Sequence, residues 1–113
     1  MNWYVAKIIF RITTDNVNAS QFDEHLRLIE AASFEEALLK ARILGITEED
    51  QHIHDQPKTA RWEFVNVAEV IPIREIRDGM ELYSQIHETA EAKSYIHRVH
   101  QKALALQLNP TER

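Results

Sequence analysis

The residues from Phe22 to Gly45 constrain the fold of this chain more than any other segment of the sequence. A strand-like run of alternating apolar and polar residues reaches Ala31, and Ser33 then opens a helix. Glu36 stands three residues after Ser33, which is the spacing of a capping box. Gly45 has the position of a left-handed helix stop. The segment therefore predicts a strand followed directly by a capped helix.

The predicted strand from Phe22 to Ala31 separates its side chains into two sets, because strand residues two apart lie on the same face. The first set is mainly apolar and the second is polar. The first comprises Phe22, Glu24, Leu26, Leu28 and Glu30, and the second comprises Asp23, His25 and Arg27.

Three further segments have the residue pattern of strands. Trp3 to Ile12 alternates apolar and polar residues, and Val5 and Ile9 add apolar groups to its second face. Trp62 to Ile73 is rich in aromatic and β-branched residues. Met80 to Ile86 fits a strand or a short helix, and its alternation favours the strand.

A long helix is predicted from Thr89 to Gln107, because apolar residues recur there at helical spacing and Pro110 bars continuation. The elements together predict an α+β fold with an antiparallel sheet of four to five strands in the order β-β-α-β-β, helices on one face and a long C-terminal helix. The 113 residues suffice for one domain. We assign residues 1–88 to its core and residues 89–113 to a helical extension of the same domain.

Composition favours a cytoplasmic protein without a membrane anchor. The sequence contains no cysteine, which excludes disulfides and thiolate chemistry. Its first residues lack the pattern of a signal peptide, and Lys7 and Arg11 interrupt their apolar run.

The charge distribution disfavours nucleic acid as a partner. Residues 1–88 carry 9 basic and 16 acidic groups, whereas residues 89–113 carry 4 basic and 2 acidic groups. Phosphate-backbone binding requires clustered lysine and arginine. An aromatic sheet platform for single strands is the competing possibility, and it would draw on Trp3, Tyr4, Phe10, Trp62 and Phe64.

Four segments in this order carry a family resemblance: WYVAKIIFRI, FDEHLRLIEAASFEEALLKARILG, WEFVNVAEVIPI and DGMELYSQI. Together they resemble the short bacterial proteins classified as domain of unknown function 4288, over about residues 3–86. The shared features are hydrophobic patterns and turns. The resemblance implies this fold and a bacterial cytoplasmic setting, and it implies no activity, cofactor or catalytic residue.

Histidines suggest the nearest approach to a metal site. His52, His54 and Asp55 form the run HIHD, and two histidines two apart on a strand would share a face. We interpret Glu48 to His54 as a short exposed strand. A solvated polar hairpin is favoured over a metal site here, because the ligands of a metal site usually come from separated elements. His97 and His100 are a weaker pair on the last helix.

No catalytic residue is assigned from the sequence, and no cofactor is predicted. Serine-elbow, Walker, dinucleotide-glycine and HExxH patterns are absent from the sequence. Paired carboxylates could support acid–base chemistry if they met across the sheet. The candidates on predicted strands are Glu30, Glu63, Glu69 and Glu81.

The sequence favours a non-enzymatic protein-interaction module that forms a homodimer through a sheet face or edge. The interaction candidates are Trp3, Trp62, Ile96 and Val99. The alternatives are a small enzyme that uses a metal or a carboxylate–histidine pocket, and a sheet that binds single-stranded nucleic acid. No membrane association is expected.

Overall fold

A computed structural model describes residues 1–14, 20–55 and 60–108, apart from the side chains of His52, His54 and Asp55. The chain divides into two compact units, Met1–Leu82 and Tyr83–Arg113. Among the described residues, the first unit contains three strands and one helix, and the second contains one helix. In chain order the elements are β1 (Asn2–Thr14), β2 (Gln21–Ala31), α1 (Phe34–Asp55), β3 (Ala60–Ile73) and α2 (Ala92–Leu108).

The predicted α+β class, antiparallel sheet and C-terminal helix are confirmed, but the predicted strand number and order are wrong. The described residues form three strands, and the element order is β-β-α-β-α. Residues 80–86, predicted as a strand, form neither a strand nor a helix. Their alternation is not matched by a neighbouring strand, and Ile86 is 96% exposed. A strand without a partner leaves its backbone groups unpaired, so alternation alone does not make one.

A tight turn precedes this segment. Gly79 has a φ angle of 82°, which favours glycine. The backbone N–H of Met80 donates to the carbonyl of Arg77 at 3.2 Å. The turn therefore lies at the Asp78–Gly79 pair, a dipeptide that is typical of turns.

Strand β1 is the centre of the sheet and pairs antiparallel with both other strands, in the order β2-β1-β3. Phe10 lies opposite Asp23 on β2 and opposite Phe64 on β3. The pairing with β3 shifts register at two places, between Lys7 and Ile8 and again between Ile9 and Phe10. Such irregularities bend a strand and increase its twist.

The core lies between α1 and one face of the sheet. Ile8 and Phe10 are its largest fully buried side chains, and the Phe10 ring lies 5.8 Å from the ring of Trp62 and 6.2 Å from that of Phe64. Alanines on α1 allow the helix to approach the strands closely. The buried members are Tyr4, Ala6, Ile8, Phe10, Ile29, Ala31, Ala37 and Ala41.

The start of α1 is capped as predicted. The Ser33 hydroxyl accepts a hydrogen bond from the backbone N–H of Glu36 at 3.1 Å. The Glu36 carboxylate accepts one in return from the backbone N–H of Ala32 at 3.0 Å. A capping box of this kind satisfies donors that the first helical turn leaves unpaired.

The predicted end of α1 at Gly45 is wrong, and so is the exposed strand predicted from Glu48 to His54. The helix continues through Gly45 to Asp55. Gly45 is buried, and a Cβ atom at this position would overlap the ring of Phe64. Glycine therefore serves here to bring the helix close to β3, a role that requires no break in the helix.

Two carboxylate side chains connect the second half of α1 to the sheet through hydrogen bonds. Glu48 accepts a hydrogen bond from the guanidinium of Arg27 on β2 at 2.9 Å. Glu49 accepts one from the backbone N–H of Phe64 on β3 at 2.8 Å. The bond to Phe64 falls where the pairing of β1 with β3 changes register, so the carboxylate satisfies a donor next to the irregularity.

Replacing Gly45 with alanine tests this close approach. In an ordinary helix the change stabilises by about 0.5–1 kcal/mol. Overlap with Phe64 should reverse the sign and lower the free energy of unfolding by about 1–3 kcal/mol, measured by urea denaturation. In a Phe64→Leu background, Gly45→Ala should lower the free energy of unfolding by less, because the ring that it would overlap is absent. A stabilising Gly45→Ala substitution in the wild-type background would contradict the packing described above.

Replacing Glu49 with alanine should lower the free energy of unfolding by about 1–3 kcal/mol, because the part-buried N–H of Phe64 loses its acceptor. Glu49→Gln retains a carbonyl oxygen and should cost less. The exposed neighbour Asp50 provides the control, and Asp50→Ala should change stability by no more than about 0.5 kcal/mol. Equal losses of stability for Glu49→Ala and Asp50→Ala would show that the hydrogen bond to Phe64 makes no specific contribution to the free energy of unfolding.

Candidate interaction surfaces

The sheet face opposite α1 is the main candidate surface. Directly paired residues share a face, so the register with β1 identifies its members. Among the described residues of Met1–Leu82, α1 is the helix that covers the sheet, and it packs on the opposite side. We therefore call this surface the open face. By register it comprises Trp3, Val5, Lys7, Ile9 and Arg11 on β1, Phe22, Glu24, Leu26, Leu28 and Glu30 on β2, and Glu63, Asn66, Glu69, Ile71 and Ile73 on β3.

Strand β2 directs three of its large apolar side chains away from α1, although Ile29 and Ala31 of the same strand lie in the core. Phe22 is 61% exposed, Leu26 is 52% exposed and Leu28 is 60% exposed. In a sheet with one covered face, apolar residues normally lie on the covered side and polar residues on the other. The separation of β2 into two sets is thus confirmed, but its apolar set lies on the open face.

The polar set of β2 lies on the covered side, where it forms a hydrogen-bonded chain with α1. His25 Nε2 lies 2.8 Å from Asp23 Oδ2, and Arg27 Nη1 lies 3.5 Å from His25 Nδ1. Arg27 also donates to Glu48, and the His25 ring packs 4.9 Å from that of Phe10. Both imidazole nitrogens of His25 thus face a partner. The chain therefore joins β2 to α1 on the covered side of the sheet.

A lysine lies at the centre of the open face. Lys7 is 7% exposed, and its Nζ lies 2.8 Å from Glu24 Oε1. The register also places Glu69 directly opposite Lys7 on β3. Beside it, Val5 is likewise 7% exposed. The middle of the face is therefore an ion pair set among apolar groups, and the apolar character predicted for the second face of β1 is confirmed.

The glutamates considered for acid–base chemistry occupy different settings. Glu69 lies opposite Lys7 and Glu63 opposite Arg11, both on the open face. Glu81 lies in the irregular segment after β3. The register thus places two of these carboxylates across from cations, an arrangement that favours ion pairing over proton transfer.

The HIHD run does not have the strand geometry on which the metal hypothesis depends. The backbone of the HIHD run is helical, and residues two apart in a helix lie on nearly opposite sides of its axis. The side chains of His52, His54 and Asp55 lie outside the described residues, so a metal role for them stays a prediction. Among the side chains that the structure describes, no three histidine, aspartate or glutamate residues are grouped to hold a metal ion.

The four predicted interaction residues are placed differently. Trp3 lies on the open face and is 41% exposed. Trp62 is half-buried and packs against the core on the covered side, together with Phe64. Ile96 and Val99 are 52% and 46% exposed on α2, a helix with no buried residue. An aromatic platform would need exposed rings, and most of the proposed ones lie in or against the core.

Neither helix in the described ranges is long and apolar enough to cross a bilayer.

The comparisons with known proteins identify a family and no function. The family model described as "Domain of unknown function (DUF4288)" matches residues 3–84. This range contains the sheet and α1, and α2 lies beyond it. Comparison with curated proteins and with solved structures gave no match. Because the matched range covers more than half of the sequence, the chain belongs to the DUF4288 family.

Proposed function

We propose that this protein is a non-enzymatic protein-interaction module that forms a homodimer by packing the open faces of two copies together. The observation that carries the proposal is the exposure of Phe22, Leu26 and Leu28 on β2. These large apolar side chains lie on one strand face, where Leu26 and Leu28 are neighbours and Leu28 lies opposite the buried Val5. Exposed apolar surface of this kind is typical of interaction sites.

Charges on the open face are partly paired within each copy, which limits the repulsion between two copies. The whole protein carries a net charge of −5, which opposes self-association in general. On the open face, however, Lys7 is paired with Glu24, and the register places Arg11 opposite Glu63. The face as a whole carries two cations and four carboxylates, so a net negative charge remains on each copy and apolar contact must outweigh the repulsion between copies.

The geometry of the face also suits self-association. Two sheets pack about 10 Å apart with their strands within about 30° of each other. Three strands with eleven residues in register span roughly 36 Å by 14 Å, which is of the same order as the ~800 Å² per partner of a standard interface. A two-fold axis would bring the same surface of each copy together.

The expected affinity is modest. Full burial of a leucine or phenylalanine contributes about 1.5–3 kcal/mol, and the three side chains of β2 are already about half buried. Two copies together would gain on the order of 5–10 kcal/mol from these residues, against an association cost of about 4–15 kcal/mol. The half-buried isoleucines of the face must therefore contribute, and the dimer should dissociate on dilution.

Light scattering over about 1 μM to 1 mM protein tests the proposal. The wild-type mass should rise from monomer to dimer, and Leu26→Lys should remain monomeric because a charge is placed at the centre of the contact. Leu39→Lys is the matched control, since Leu39 is 57% exposed on α1, and it should dimerise as the wild type does.

A wild-type protein that stays monomeric throughout this range would rule out the dimer. A folded Leu26→Lys variant that still dimerises would rule out the open face as the contact and would point to the strand edges. Circular dichroism separates loss of association from loss of folding in each variant.

A further inference from the structure

We propose that α2 binds an acidic amphipathic helix of a partner protein. The proposal does not depend on the homodimer, because it concerns a different unit of the chain. No residue of α2 is buried, although its sequence contains a regular apolar repeat. We call this repeat the α2 seam, and it consists of Ala92, Ile96, Val99, Ala103 and Leu106.

The spacing of the α2 seam is that of a coiled-coil contact. Successive members are alternately four and three residues apart, which is the pattern of heptad positions a and d. Ile96, Val99 and Leu106 are 52%, 46% and 56% exposed. Two members are alanines, and small residues at a and d leave room for large side chains of a facing helix. The seam therefore fits a partner helix with bulky apolar residues.

Charge identifies the chemistry of that partner. The sequence of α2 contains Lys93, Arg98 and Lys102 and no acidic residue. Lys93 and Lys102 fall at the e and g positions that flank the seam, and His100 is another flanking residue. Two copies of α2 would face cation against cation, which opposes self-pairing. A helix with glutamate or aspartate beside its own apolar seam would complement these positions.

A surface cavity next to the seam offers a place for a side chain of the partner. Its volume is about 420 Å³, and Val99 belongs to both its lining and the seam. Arg98, Lys102 and His87 also line it, against one carboxylate. The His87 ring stacks on Tyr95 at 5.9 Å and 25°. The cavity thus combines aromatic and apolar walls with cationic donors, a combination that suits an acidic side chain with an apolar stem.

The test uses the whole 113-residue chain and two designed, fluorescently labelled peptides with leucine at a and d. One carries glutamate at e and g and the other carries lysine there. Fluorescence anisotropy should show at least tenfold tighter binding of the glutamate peptide, and this preference should shrink in high salt. Equal binding of the two peptides, or no binding of the glutamate peptide, would overturn the proposal.

Reversing the charge of a single residue on α2 tests whether the glutamate peptide binds there. Lys102→Glu should weaken binding of the glutamate peptide about tenfold, because it places like charges together. Arg42→Glu makes the same charge change at an exposed position of α1 and should leave binding unchanged. Equal effects of both substitutions would show that overall charge, rather than α2, is responsible.

Two other occupants of the seam are distinguished in the same experiment. Binding to vesicles of phosphatidylglycerol and phosphatidylcholine without binding to the glutamate peptide would assign α2 to a membrane surface. Loss of homodimer mass in a Val99→Asp variant, measured by light scattering, would assign α2 to self-association. Either result would overturn the proposal, and neither would be mistaken for failure of the open-face dimer, which Leu26→Lys tests separately.

Discussion

The first unit depends on a central strand that is apolar on both faces. Strand β1 pairs with β2 and β3 along most of its length, so neither of its edges meets water. Its even-numbered residues, such as Ile8 and Phe10, fill the core beneath α1. Its odd-numbered residues include Val5 and Lys7, which are almost completely buried. A strand of this kind needs cover on both sides, and in the described part of this unit α1 covers one of them.

Much of the sheet could be predicted from local pattern. Alternation locates β1 and β2, and aromatic and β-branched composition locates β3, each to within about two residues, as is usual for element ends. The end of α1 could not be predicted in this way. A glycine that ends a helix and a glycine that admits a neighbouring ring have the same appearance in a sequence. The distinction depends on Phe64, which lies on another strand and meets Gly45 only after folding.

The candidate surface was only partly predictable, because alternation separates two faces without saying which is covered. On β2, hydrophobicity would assign Phe22, Leu26 and Leu28 to the core. The register with β1 and the position of α1 reverse that assignment, because Asp23 lies opposite the buried Phe10. Trp62 shows the converse. The sequence predicts that it is an exposed interaction residue, but its ring packs against the core. Both outcomes are decided by contacts between distant residues.

The two candidate surfaces differ in charge, and this difference has a consequence for binding. The open face carries two cations against four carboxylates, whereas the charged residues of α2 are all basic and suit an acidic partner. A homodimer would carry two copies of α2. A partner that presents two acidic helices could then bind both, and the second contact would form at a high effective concentration. Dimerisation would in that case strengthen a weak helix contact without adding any residue to it, so the two interactions would be coupled through valency alone.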